Sequence, residues 1–240
     1  MNDDRRPGGG MTDAHLPGTD GGLRRADVAY DHIKRVLIDG RFRQGDGLPV
    51  EAIAHELGMS RQPVMEAMKR LAEHGFVEII PQVGCRVATI DRHEIGDLFR
   101  YLAVTEGLLA ELAAVRWTAE PLAALRRISL AIGELVTERT QGTETFLRFR
   151  ALDNAFHAMI GDMADAPLIA QSARRMTERT DFHIATTAIE QLAMRRLELS
   201  HREHDEVLHR IERRQGKLAG QALMGHQLGF YTRTFEAAAV

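Results

Sequence analysis

At 240 residues the chain is long enough for two domains, and its 44% hydrophobic and 27% charged residues are ordinary globular values. Its one cysteine, Cys85, excludes an internal disulfide framework and a cysteine-rich zinc cluster, and no apolar run reaches the roughly 20 residues that span a bilayer. A cytoplasmic protein with no membrane partner is therefore expected, and a formal net charge of −3 leaves any contact with nucleic acid to a local patch rather than to bulk charge.

Residues 1–24 carry scattered Gly, Pro, Asp and Thr without apolar periodicity and are expected to form a disordered arm. Order begins near Arg24, where Val28, Ile33, Val36 and Leu37 fall close to helical spacing and Gly40 supplies a stop. Beyond a turn-rich stretch, Val50, Ile53, Ala54 and Leu57 predict a short helix ended by Gly58. Ser60 then stands as the N-cap of another helix, with Pro63 tolerated in its first turn and Val64, Met68 and Leu71 on one face. Two short helices joined by Gly58-Met59-Ser60 have the spacing of a helix-turn-helix. The period then changes: Phe76–Ile80 and Cys85–Ile90 are rich in β-branched residues and flank Pro81-Gln82-Val83-Gly84, which predicts a hairpin placed as a wing. From Asp91 onward no strand signal returns, and helical segments are predicted at about 92–116, 119–139, 143–163, 167–193, 195–214 and 217–237. The fold class is mainly α, with a winged helix-turn-helix over 25–91 followed by an antiparallel all-α bundle over 92–240.

A recognition helix meets base edges with its N-terminal residues. Here these are Ser60, Arg61 and Gln62, and Arg and Gln are the side chains that pair bidentately with guanine and adenine. Lys69 and Arg70, further along, suit phosphate contacts or a solvated surface. Gly84 at the wing tip permits close backbone approach to a minor groove, with Arg86 beside it. The stretch Ile33–Val87, above all Leu57-Gly58-Met59-Ser60-Arg61-Gln62-Pro63-Val64 with Glu66-Ala67-Met68 and Arg70-Leu71, resembles the N-terminal domain of GntR-family regulators. Two positions depart from that pattern. Met65 stands where the family often carries a second arginine, and the Gly47–Ala52 stretch lacks a basic residue.

In the helical part Asp153 and His157 are four residues apart, on one helix face. His204 and His226 lie at similar distances either side of a turn near Gly216, so two antiparallel helices bring both imidazoles to one level. An aspartate with three imidazoles suits a divalent metal, zinc first, with nickel or manganese as alternatives. The chain holds 11 histidines, and His183, His201 and His209 are nearby competitors for such a role. Asp153-Asn154-Ala155-Phe156-His157, Glu203-His204 and His226 are similar to the metal-binding pattern of the FCD effector domain of the FadR subfamily. That resemblance implies Asp153, His157, His204 and His226 as ligands, a homodimer, and a small organic or sugar acid bound against the metal. The family's arginine four residues before the glutamate matched by Glu106 is replaced by Leu102, so Arg100, Arg150 or Arg174 becomes the candidate for the effector carboxylate, with Arg148 and Arg175 as further substitutes. The expected function is a non-enzymatic, metabolite-responsive transcription factor acting on a double-stranded operator, with repression as the expected sign. The alternative is a metal-dependent hydrolase with Glu203 or Asp205 as base.

Overall fold

The computed structural model describes residues 19–138, 142–187 and 197–236. Helix α1 (Thr19–Ile38) buries Ala26, Ala29, Ile33 and Leu37 along one face. It starts before Arg24, so the last residues of the expected arm are helical, while residues 1–18 of that arm lie outside the described residues. Gly21 and Gly22 lie within this helix; a glycine costs a helix only about 1 kcal/mol, which the downstream buried face offsets. Val28, expected on the apolar face, is 55% exposed, because Ala29 and Tyr30 occupy that side instead.

Strand β1 (Gly47–Leu48) leads into α2 (Val50–Glu56). Gly58, at φ +60°, turns the chain into α3 (Arg61–Glu73) in a conformation that a side chain disfavours. Val64, Ala67, Met68 and Leu71 of α3 are buried against α1 and α2. Strands β2 (Val77–Ile80) and β3 (Gly84–Val87) form the predicted antiparallel hairpin, with Glu78 opposite Arg86. The sheet order is β1-β3-β2; β1, too short to show a period, was not expected.

Asp91 opens α4 (Arg92–Arg116) with a capping box: its carboxylate accepts from the amides of His93 and Glu94, and Glu94 returns a bond to the Asp91 amide. The bundle continues with α5 (Ala119–Val136), α6 (Thr143–Met163), α7 (Pro167–Thr186), α8 (Leu197–Glu212) and α9 (Gly216–Tyr231), closed by a π-helical turn at Thr232–Glu236. The bounds of α4 and α6 match expectation; α5, α7 and α8 stop at Val136, Thr186 and Glu212, short of the expected 139, 193 and 214, while residues 139, 188–193, 195–196 and 237 of the expected segments lie outside the described residues. α4 lies against α6, α7, α8 and α9. Its closest approach is to α9, where a Cβ built on Gly107 would meet the Gly220 carbonyl at 3.0 Å. This approach brings Glu106 and Gln227 within reach of each other.

α7 also belongs to the N-terminal core. Phe182 is fully buried there, edge-to-face on Phe76 at 5.2 Å, and Lys34 pairs with Glu178 at 2.7 Å. The Arg43 guanidinium donates to the Ala185 carbonyl at 3.0 Å.

Candidate functional site

Ser60 is extended and exposed, and its hydroxyl makes no capping bond, so the side chain predicted as an N-cap is free for another acceptor. Arg61 and Gln62 are exposed at the start of α3, and the Arg61 Nε lies 3.0 Å from Glu51 of α2. Such an exposed pair is worth little and yields readily to a phosphate or base edge. Lys69 is exposed, 4.0 Å from Glu66. Arg70 differs: Asp27 holds its guanidinium at 2.5 Å over the Tyr30 ring, which ties α3 to α1. At the wing tip Gly84 has φ +136° and open space where a Cβ would stand. Arg86 is held by Glu78, whose Oε2 accepts from Nε at 2.7 Å and lies 2.6 Å from Nη2. Of the seven predicted DNA-facing residues, Ser60, Gln62 and Gly84 are exposed, Arg61 and Lys69 are exposed with solvent-facing ion pairs to Glu51 and Glu66, and Arg70 and Arg86 are tied more closely to Asp27 and Glu78.

The four predicted ligands come together. Asp153 and His157 project from one face of α6, and α8 and α9 add His204 and His226, with one ligand atom of each within 4.8 Å of the others. The Nε2 atoms of His204 and His226 face each other at 3.3 Å, and Asp153 lies 3.3 Å from His204 Nε2 and 3.9 Å from His157 Nε2. His183, His201 and His209 are not in this group.

The surrounding side chains orient the rings. Glu203 accepts from His226 Nδ1 at 2.9 Å and from Arg233 of the π-helical turn at 2.9 Å, which directs the His226 Nε2 inward. Glu106, buried on α4, sits 2.8 Å from His157 Nδ1 as an ion contact and accepts from Gln227 at 2.6 Å. Phe156 stacks on the His204 ring at 4.5 Å. Burial works against charge on His157, but Glu106 and then Asp153 outweigh it and hold the ring up at about 9. Burial and the neighbouring His226 push His204 well below the usual imidazole range, and burial raises Asp153. The donor set fits a cation: His157 Nε2 is buried without a hydrogen-bond partner, and two inward imidazole nitrogens face one another across a carboxylate. Sequence reasoning singled out Glu203 beside His204 and as a possible base but not as the residue that orients His226, and it missed Gln227 and Arg233; Gln227 adjoins a ligand in sequence, but nothing in the pattern marked its direction.

A narrow cavity of about 60 Å3 runs from this quartet to α7. Its walls include Asp153, His157 and His226 on one side, Thr177, Thr180 and Asp181 on the other, and Arg150 between. Asn154 donates to Asp181 at 2.8 Å, and burial raises the Asp181 carboxyl to about 6, with Arg150 opposing the rise. Leu102 contributes an apolar wall. A second, wider cavity of about 250 Å3 lies behind His157 and includes Arg174, which is 56% exposed and 3.7 Å from Asp162. Arg100 lines neither cavity; it is exposed and bonded to Asp97 at 2.7 Å, because its position on α4 faces away from the quartet. Arg148, paired with Glu138, and Arg175 are likewise outside both walls.

Residues 25–87 match the model of bacterial regulatory proteins of the gntR family, and residues 97–228 match the FCD domain. The HTH-type transcriptional regulator YdhC of Bacillus subtilis is 20% identical over 197 residues, covering 82% of this chain and 85% of the relative. The HTH-type transcriptional repressor RspR of Escherichia coli is 24% identical, covering 82% and 83%. Among solved structures, E. coli McbR/YncC superimposes with a TM-score of 0.72 at 16% identity over 89% of this chain and 98% of its own, and a GntR regulator of Rhodococcus sp. RHA1 with 0.69 at 19% over 89% and 99%. The hydrolase alternative is set aside by this kinship, and Glu203 and Asp205 are in any case engaged, Glu203 with His226 and Asp205 with Ser129 at 2.6 Å. The chain belongs to the GntR family of bacterial regulatory proteins: it is a DNA-binding transcriptional regulator, not an enzyme, whose winged helix is followed by an FCD domain.

Proposed function

We propose that the chain is a homodimeric repressor that releases its operator when a small organic or sugar acid enters the FCD cavity beside a divalent metal, zinc first. Residues 25–91 form the DNA-binding unit and 92–240 the sensing and dimerising unit. Ser60, Arg61 and Gln62 read the major groove, Lys69 and Arg70 flank it, and the wing around Gly84 and Arg86 follows the backbone. Asp153, His157, His204 and His226 hold the ion, which when bound supplies a positive anchor for a carboxylate. His204 presents a neutral ring, Glu203 and Glu106 fix the imidazole directions, and Thr177, Thr180 and Asp181 offer hydrogen-bonding groups to the rest of the ligand. Its place of action is the cytoplasm, where the DNA lies.

One observation carries this reading: α7 forms a wall of the cavity with Asp181 while the next residue, Phe182, is locked in the core of the DNA-binding unit. A ligand with different affinity for two placements of α7 shifts operator affinity by that difference. Repression as the sign is supported by the similarity to a transcriptional repressor, RspR. The test combines two variants with an operator-shift assay and metal analysis. Arg61→Ala loses specific operator binding with metal content intact; His204→Ala loses metal and effector response while basal operator binding persists. Unchanged metal in His204→Ala removes the four-ligand site, and undiminished operator affinity in Arg61→Ala removes Arg61 from the reading surface.

A further inference from the structure

We propose that Arg150 is the residue that binds the effector's acid group, and that it does so by giving up the carbonyl it holds at the end of α1. The inference rests on the reading of the metal-side cavity as the effector site. Arg150 precedes Asp153 by three residues on α6, so the two share a helix face. Among the described lining residues of that cavity it is the one Lys or Arg. The opposite wall at Leu102 is apolar, so no second guanidinium approaches from α4.

The partners of Arg150 lie in the DNA-binding unit. Its Nη1 donates to the Ile38 carbonyl at 3.0 Å and its Nη2 stands 3.7 Å from Asp39, with the side chain only 14% exposed. Ile38 is the last residue of α1, where the helix carries partial negative charge, so the guanidinium acts as a cationic cap joining sensor to reader. A carboxylate is a stronger acceptor than a carbonyl, because it carries a full negative charge and takes two parallel guanidinium N–H groups in a bidentate pair, where the Ile38 carbonyl takes one. An acid arriving beside Arg150 therefore competes well for the same donors. As it wins them, the end of α1 loses its cap, and α1 is the helix on which the recognition helix packs.

The same wall narrows the ligand class. Asp181 is an acceptor lying against Asn154, and the Thr177 and Thr180 hydroxyls already donate to backbone carbonyls, so all three offer acceptor oxygens to the cavity. Acceptors need donors, and a carboxylate without a hydroxyl supplies none. A hydroxycarboxylate matches: its acid group meets Arg150 and its hydroxyls donate to this wall.

The test uses the full-length, metal-loaded protein and four probes, L-lactate, D-gluconate, citrate and pyruvate, read by calorimetric titration and by amide exchange at residues 38–43. A hydroxy acid binds the wild type more tightly than pyruvate and speeds exchange at 38–43. Arg150→Gln binds that acid roughly tenfold or more weakly with full metal content, and Arg150→Lys, which keeps the charge without the fork, falls between and guards against misfolding of the first variant. Asp39→Asn, which touches only the α1 side of the contact, retains acid binding. Equal acid affinity in wild type and Arg150→Gln overturns the assignment while leaving the effector site standing. Unchanged exchange at 38–43 on binding overturns the exchange of partners, and failure of all four probes to bind wild type overturns the effector site itself.

Discussion

His183 shows how a single buried imidazole records the seam between the two units. It is 1% exposed and meets Gln44 of the N-terminal unit at 3.4 Å through Nδ1, and burial, with Arg179 adding to it, lowers it to about 4 from an ordinary 6.5. Between pH 6.5 and about 4 the unfolded chain therefore binds a proton that the folded chain refuses, so this residue's contribution is complete above 6.5 and is lost as pH falls toward 4. The full span amounts to about 3 kcal/mol. Asp181, raised to about 6, has the opposite sign and gains stability as pH falls through 6, which masks the histidine in the wild type. The advantage in unfolding free energy of wild type over His183→Gln isolates it. That advantage shrinks by up to about 3 kcal/mol from pH 7 to pH 4 in denaturant titrations; a difference constant across this range refutes the account.

Among the elements, α7 is where sequence and structure part. The periodicities of α4 and α6, the Gly58 turn and the hairpin were legible because each is a local pattern with a local cause, and Asp153 with His157 was legible because helix geometry sets a four-residue spacing. His204 and His226 needed only the assumption of an antiparallel turn. The seam was not legible, since Phe182 reads as one more apolar residue of a bundle helix until Phe76 is placed against it. The same holds for Arg150, whose partner Ile38 is 112 residues away, and for Arg70, read in sequence as a phosphate contact or solvated surface, whose pairing with Asp27 of α1 no local pattern marks. If α7 is the shared element, Phe182→Ala leaves a cavity costing about 3–5 kcal/mol at the seam. The expected outcome is that one calorimetric unfolding transition becomes two, the earlier one belonging to the winged unit, with operator affinity lowered. A single transition merely shifted in temperature places Phe182 in an ordinary core instead.

The whole molecule carries an apolar stripe that its own fold leaves uncovered. Tyr101, Val104, Leu108 and Val115 of α4 follow helical spacing, and Val104 is 64% exposed, on the helix whose other faces hold Glu106 and Gly107 against the metal-side core. Scattered exposed apolar residues need no explanation, whereas a row of them on one helix is the kind of self-complementary patch that a two-fold dimer buries. Reading two half-sites at once makes the second contact intramolecular, so dimer loss costs the operator far more than one half-site's contacts. Val104→Glu places a charge in the middle of this stripe without touching the quartet, the cavity or α3. The variant is expected to sediment as a monomer, to keep its helicity and metal content, and to bind a two-half-site operator roughly a hundredfold more weakly, while binding a single half-site as the wild type does. A variant that stays dimeric moves the interface to another face, and one that is monomeric with undiminished affinity for the full operator breaks the link between dimerisation and reading that the symmetric model requires.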